Sequence, residues 1–138
     1  MAARDKYHFQ VKEALEKEGW TITHDPYFIR LGKRRGFIDL GAEMIGAERG
    51  NEKIAVEIKN FSRVSDVDAF EDALGQFLLC KLALKQKEAD RLLFLAVPTD
   101  FYNSFFEEDV FFKNVLKAYQ VHVIVYDYDK IIIDQWIK

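Results

Sequence analysis

The sequence predicts an α/β fold, a mixed β-sheet with flanking helices whose elements run in the order αβββαβαββ. Three observations carry that expectation. Apolar residues at helical spacing open the chain and recur in its middle and in its second half. Short strand-like runs separated by turn residues lie between these stretches. One run, Leu92-Leu93-Phe94-Leu95-Ala96-Val97, is apolar at every position, as a central strand covered on both faces would be.

The elements follow in order. Residues 3–18 set Tyr7, Val11, Ala14 and Leu15 at helical spacing among charged neighbours, and Gly19 supplies a stop. Three extended segments come next: 20–31, with the turn residues Asp25 and Pro26 in its middle, then 36–45 and 52–59. Turn chemistry at Gly32 to Arg35 and at 46–51 separates the second and third from what precedes them, which suits an antiparallel meander. Ser65 with Asp68 forms a capping box, opening a helix to about Lys85 through Val67, Phe70, Leu74, Phe77, Leu78 and Leu82. Its later turns are apolar on most sides, as in a crossover helix packed against a sheet.

The apolar strand at 91–97 ends at Pro98, and a helix over 104–118 follows, with Ser104 and Glu107 as its capping box. Strands at 121–126 and 131–137, joined by an Asp-Tyr-Asp turn, close the pattern. In 138 residues, 49% of them hydrophobic, there is no internal repeat and no low-complexity tract, and Pro26 and Pro98 are the only prolines. A single domain over 1–138 is the expectation.

Composition excludes several classes of function. Twenty Lys and Arg against 23 Asp and Glu leave a net charge of −3, so any nucleic-acid contact needs a local basic patch. The lone Cys80 forms no internal disulfide, and no leader-like segment opens the sequence, so a reduced, cytoplasmic setting is expected. No apolar run reaches the ~18 residues of a membrane span, which argues for no membrane partner. His8, His24, His122 and Cys80 are scattered without the paired spacings of a zinc site.

The segment richest in chemistry is Ile54-Ala55-Val56-Glu57-Ile58-Lys59, an apolar strand that carries two opposite charges. Period-two geometry puts Glu57 and Lys59 on one face and Val56 and Ile58 on the other. Chance alone gives about two acid-x-Lys triplets in this composition, so the triplet matters only through its strand context. A second acid, Asp39 in Gly36-Phe37-Ile38-Asp39-Leu40-Gly41, is also flanked by apolar residues. If 36–45 and 52–59 pair as a hairpin, Asp39 falls near Glu57, with Ile38 and Leu40 facing the core.

Two close carboxylates repel unless a cation compensates them. Mg²⁺, or Mn²⁺ in its place, takes one or two carboxylates plus waters and substrate phosphates, which suits Asp39 and Glu57 with the carbonyl of Ile58 as a third ligand. Lys59 beside them would orient a water and stabilise charge developing on a phosphate oxygen. The plainer reading is a surface ion pair with Asp39 as its neighbour.

These residues resemble the PD-(D/E)xK nuclease core of restriction endonucleases and Holliday-junction resolvases. The likeness covers about residues 4–97, with Ile38 standing where that motif often has proline. More specifically, residues 19–26 (Gly-Trp-Thr-Ile-Thr-His-Asp-Pro), 55–61 (Ala-Val-Glu-Ile-Lys-Asn-Phe) and 73–77 (Ala-Leu-Gly-Gln-Phe) resemble the XisH family over essentially the whole chain. The resemblance implies a restriction endonuclease-like core and a role in controlling excision of the fdxN DNA element. DNA and a companion XisI-type protein are its implied partners. It does not by itself imply catalysis, so Mg²⁺-dependent endonuclease action stands beside a non-catalytic regulatory or partner-binding module on the same scaffold.

Gln76 lies in line with Ala69, Ala73 and Cys80 on a stripe of small residues. By the nuclease resemblance it would steady Lys59 or a water; otherwise it is a polar residue at the boundary of a buried face. Glu18, on the side of Val11, Ala14 and Leu15, is the first-helix acid best placed to face inward, although a solvated helix residue is the favoured reading. Lys33, Arg34 and Arg35, with Lys53 and Arg63, are expected around the mouth of the site as phosphate contacts or as a solubilising turn. His24 and Asp25 sit at a bulge or turn and are read mainly as structural, while His8 and His122 have no visible catalytic partner. Most of Phe101, Tyr102, Phe105, Phe106, Phe111 and Phe112 should be core, yet together they exceed what one helical face buries, which makes that stretch a candidate interface for a homo-oligomer or a companion.

Overall fold

The computed structural model describes residues 3–46, 50–60 and 65–138. An opening helix α1 (Ala3–Lys17) leads into five strands, β1 (Thr21–His24), β2 (Tyr27–Leu31), β3 (Arg34–Ile38), β4 (Leu40–Gly46) and β5 (Gly50–Ile58). The long helix α2 (Asp66–Lys87) crosses over to β6 (Arg91–Pro98). A short α3 (Thr99–Tyr102), a π turn (Asn103–Glu107) and α4 (Val110–Ala118) then lead to β7 (Val123–Asp127) and β8 (Ile132–Ile137).

Six strands form one sheet in the order β1-β4-β5-β6-β7-β8, and β2 and β3 form a separate two-stranded hairpin. The β5–β6 and β6–β7 pairs are parallel, whereas β1–β4, β4–β5 and β7–β8 are antiparallel. The mixed α/β expectation therefore stands. The expected order does not, because two of the three long strands are each divided.

The 20–31 segment breaks at Asp25 and Pro26, since proline has no N–H to continue a ladder. β1 stays on the sheet edge against β4, while β2 leaves to pair with β3. The 36–45 segment breaks at Asp39. Ile38 and Leu40 were expected on one face, yet Ile38 packs in the core under α2 and Leu40 in the core under α1. The bend at Asp39 resets the two-residue phase and carries the chain from one side of the sheet to the other.

Each side of the sheet has its own core. Ala55, Leu93, Leu95, Val97, Val123 and Val125 pack with Phe70, Phe77 and Leu84 of α2 and with the aromatic cluster after β6. Ile54, Val56, Phe94, Ala96, Ile124 and Tyr126 pack with Val11 and Leu15 of α1 and with Trp20. This alternation along β5, β6 and β7 explains why β6 reads as apolar throughout.

The start of α2 follows the sequence: Ser65 Oγ accepts from the Asp68 N–H at 3.3 Å. The second-half helix does not. Ser104 instead donates to the Phe101 carbonyl within the π turn, and the cap of α4 is Asp109, which accepts from the Phe111 N–H at 3.1 Å. The change of pitch turns Phe101, Tyr102, Phe105 and Phe106 all inward, each 8% exposed or less. Phe70 meets Phe105, Phe106 and Phe112 at ring centroid distances of 5.2 to 5.9 Å. Most of the aromatic stretch is thus core, as expected, and Phe111 is exposed.

Gly41 marks a close approach where β1 meets β4. A Cβ there would lie 3.0 Å from both His24 Cβ and Tyr27 Cδ2, with the His24 ring at 3.1 Å. Gly41→Ala is expected to cost about 1–3 kcal/mol through overpacking, measured as a fall in the urea midpoint without change in slope.

Candidate active site at the carboxyl end of β5

The β4–β5 ladder runs from Gly46↔Gly50 to Leu40↔Val56 and stops there. Asp39 has left the strand at the bend, and its carboxylate takes over the ladder's role: Oδ2 accepts from the Ile58 N–H at 2.8 Å. On the other side the Lys59 N–H donates to the Ala96 carbonyl at 3.0 Å, holding the end of β5 against β6. Ala55 and Glu57 point to the α2 side, and Val56 and Ile58 to the α1 side. Period two brings Lys59 to the face of Glu57, where it also meets α2.

Gln76 of α2 joins the two charges. Its Oε1 accepts from Lys59 Nζ at 2.5 Å, and its Nε2 donates to Glu57 Oε2 at 3.4 Å. This assigns both ends of the amide, since only the oxygen accepts from an ammonium and only the nitrogen donates to a carboxylate. Cys80, one turn further on, places Sγ 3.9 Å from Glu57 Oε2. Burial, and next the Glu57 charge, push its thiol up to about 12, so it stays protonated and is no nucleophile at neutral pH.

Asp39, Glu57, Ile58, Lys59 and Gln76 line one cleft of about 530 Å³. Asp39 is 5% and Glu57 4% exposed. The remaining walls come from Tyr7 and His8 of α1, from Leu31, Arg35 and Phe37 of the hairpin, and from Leu79 of α2. Among the described residues no three of His, Cys, Asp and Glu gather as a metal cluster. Asp39 and Glu57 bring two carboxylates to the cleft, and Ile58 lines it between them and Lys59.

Other expected site residues fall elsewhere. Glu18 lies beyond the end of α1, where its Oε1 accepts from Trp136 Nε1 at 2.9 Å, and it lines a different cavity together with Trp20. Helix α1 sends Tyr7 and His8 into the cleft instead, because its N-terminal half lies near the end of β5. Lys53 stands four residues before Glu57, about 13 Å back along the strand, and pairs with Glu88 and Asp90. Arg63 lies outside the described residues, as does Phe61 of the family-like segment. Lys33 and Arg34 are exposed at the hairpin turn.

His24 packs its ring 4.8 Å from that of Tyr27 and shares a 2.9 Å hydrogen bond with Thr23 Oγ1, away from the cleft. Its burial lowers its pKa. Asp25 does reach the rim, where it meets His8 Nε2 at 2.7 Å and accepts from Lys12 Nζ at 3.2 Å. His122 lies beside Phe94, with burial lowering its pKa.

A charge network around the buried Arg91 escapes the sequence reading. The Arg91 side chain, 1% exposed, donates to Glu88 Oε1 at 2.7 Å, the Ile54 carbonyl at 2.9 Å and Glu43 Oε1 at 3.2 Å. Glu88 also accepts from the Tyr27 hydroxyl at 2.6 Å and from Lys53 at 3.2 Å. Hydrogen bonding to Arg91 draws the Glu88 carboxyl down to about 2, with Tyr27 and Lys53 acting in the same direction. Burial and the bond to Glu88 push the Tyr27 hydroxyl up to about 12. The one sequence signal was an arginine at the head of an otherwise apolar strand.

The family model described as XisH protein matches residues 1–134. The chain belongs to the XisH family. Its fold agrees with two crystal structures. One is of an XisH family protein from Nostoc punctiforme PCC 73102, 42% identical, with a TM-score of 0.86 over 97% of this chain and all of that one. The other is of an fdxN element excision controlling factor protein from Anabaena variabilis, also 42% identical, with a TM-score of 0.88 over 98% of this chain and all of that one. A comparison of this XisH family member with curated proteins finds no match. Among its described residues no helix is long and apolar enough to cross a membrane.

Proposed function

We propose that this XisH family member acts on DNA in the controlled excision of a DNA element, hydrolysing a phosphodiester on a restriction endonuclease-like core. The observation that carries the reading is the convergence of Asp39, Glu57, Lys59 and Gln76 in one cleft. A surface ion pair does not account for it, since both carboxylates are buried and one polar side chain bridges Glu57 to Lys59.

The donor set fits a hard cation: two buried carboxylates and a backbone carbonyl are the oxygen ligands Mg²⁺ or Mn²⁺ takes when the rest come from water and phosphate. Asp39, Glu57 and the Ile58 carbonyl would hold it, and it would supply Lewis-acid polarisation of the phosphoryl group. The chain's own residues do the rest. Asp39, by gripping the Ile58 N–H, fixes the end of β5 and with it the aim of Glu57 and Lys59. Gln76 holds the Lys59 ammonium in place, where it orients the attacking water and offsets charge building on a phosphate oxygen. Water oxygen joins phosphorus, the bond to the leaving sugar oxygen breaks, and that oxygen takes up a proton.

The hairpin supplies the nucleic-acid contact. Residues 27–38 contain Arg30, Lys33, Arg34 and Arg35 and no acid, in a chain whose net charge is −3. Arg35 lies 4.3 Å over the Phe28 ring and also lines the cleft, so the basic arm leads into the candidate site. The DNA backbone is its natural ligand. Changing Lys33, Arg34 and Arg35 together to glutamine is expected to weaken DNA binding for all sequences alike. The slope of log K against log salt should shrink by about 3, read by fluorescence anisotropy at several salt concentrations.

The companion XisI-type protein implied by the resemblance belongs to the same proposal and is included in the test. Supercoiled plasmid is incubated with the chain, with and without the companion, in Mg²⁺, in Mn²⁺ and in chelator. Metal-dependent nicking is the expected result. No cleavage under any of these conditions, with no heat of metal binding by calorimetry, would leave the non-catalytic regulatory module as the reading.

A further inference from the structure

We propose that the outward face of α2 pairs antiparallel with the same face of a second copy of this chain, about a two-fold axis between Leu78 and Leu79. The face opposite the buried Phe70, Ala73, Phe77 and Leu84 carries Glu71, Gly75, Leu79, Leu82 and Gln86, with Leu78 and Lys85 on its flank. Leu79 is 63% and Leu82 58% exposed, an unusual waste of leucine on a solvated helix surface. Gly75, Leu79, Leu82 and Gln86 follow at spacings of four, three and four, the repeat of a helix–helix seam.

Gly75 is the second sign. It sits in the interior of the helix, where glycine weakens the structure, and a Cβ built on it would meet nothing within 4 Å. Among the described residues, nothing packed against that position needs a glycine there. A neighbour approaching from outside does.

The register then follows from self-complementarity. With the axis between Leu78 and Leu79, Gly75 of one copy faces Leu82 of the other, so a leucine fills the glycine notch twice. Leu79 meets its own counterpart on the cleft side, and Leu78 meets its counterpart on the other flank. Glu71 comes opposite Lys85, again twice, and the acidic start of each helix lies along the basic end of its partner. That charge complementarity selects a second copy over an unrelated apolar partner.

A helix of 22 residues, about 33 Å long, covers less than the roughly 800 Å² per side of a standard interface. Leu31 and Phe37 of the hairpin line the same cleft as Leu79 and extend the apolar surface on that side. Micromolar association is therefore expected, with the two clefts brought together beside the axis.

Sedimentation velocity on the full chain across a concentration series tests this. A monomer–dimer equilibrium is expected, abolished by Leu82→Glu and by Gly75→Leu. Glu71→Lys and Lys85→Glu should each weaken it about tenfold, and the double exchange should restore it. All four positions are outside the core, so circular dichroism should report a folded chain throughout. A chain that stays monomeric at every concentration overturns the proposal, as does a dimer indifferent to Leu82→Glu. Failure of the double exchange to restore association overturns the antiparallel register.

Discussion

Lys59→Ala is expected to lower Mg²⁺-dependent nicking of supercoiled DNA by about 10²–10³-fold, the cost of removing one group that stabilises charge in a transition state. The fold should be unaffected, because Lys59 lies at the end of β5 and outside both cores. Calorimetry separates its role from metal holding: Lys59→Ala should keep the heat of Mg²⁺ binding, whereas Asp39→Asn and Glu57→Gln should lose both heat and cleavage. The asparagine retains an oxygen that can accept from the Ile58 N–H, so that variant tests charge rather than geometry. Gln76→Ala should fall between, about tenfold down, since it acts by positioning Lys59 and Glu57. Equal nicking by the parent chain and Lys59→Ala would end the proposed assignment.

The largest effect on stability is expected at Arg91. Its guanidinium ties α2 to β4, β5 and β6 through Glu88, Glu43 and two backbone carbonyls. Arg91→Met fills similar space but takes the buried cation from Glu88 and Glu43, which are partly exposed and, for Glu88, still bonded to Lys53 and Tyr27, at a cost of about 2–3 kcal/mol in urea unfolding at pH 7. The partner change, Glu88→Gln, reports on pH. The folded Glu88 carboxyl lies at about 2 against an ordinary value near 4.5. A depressed carboxyl stabilises the fold fully above the unfolded value, and that stabilisation is lost as pH falls from about 4.5 towards 2. The parent chain should therefore lose about 2–3 kcal/mol from this group across that window. Glu88→Gln should start lower at pH 7 and show a shallower acid limb. Parallel pH curves for the two chains would show that Glu88 is not the group responsible.

Much of the candidate site was legible because its signals are local. An acid and a lysine two apart in an apolar strand must share a face, and the structure brings Glu57 and Lys59 to the same α2 glutamine. Ser65 and Asp68 carried their capping chemistry in three residues. The contribution of the first helix was not legible, for the opposite reason. Helical spacing gives the side a residue occupies, not which end of the sheet that side overlies, and the cleft received Tyr7 and His8 instead.

The sequence by itself determined the kinds of element, the alternation that gives β5 and β6 two buried sides, and the family, because each is written in residue type and short spacing. Only the tertiary structure decided that the 36–45 run changes face at Asp39, and that the hairpin leaves the main sheet. It alone brought Tyr27 and Lys53, from distant segments, to the Glu88–Arg91 pair. Those outcomes depend on which groups remain to satisfy a freed N–H or a buried charge once strands are paired. That is a property of neighbours in space, which spacing along the chain does not encode.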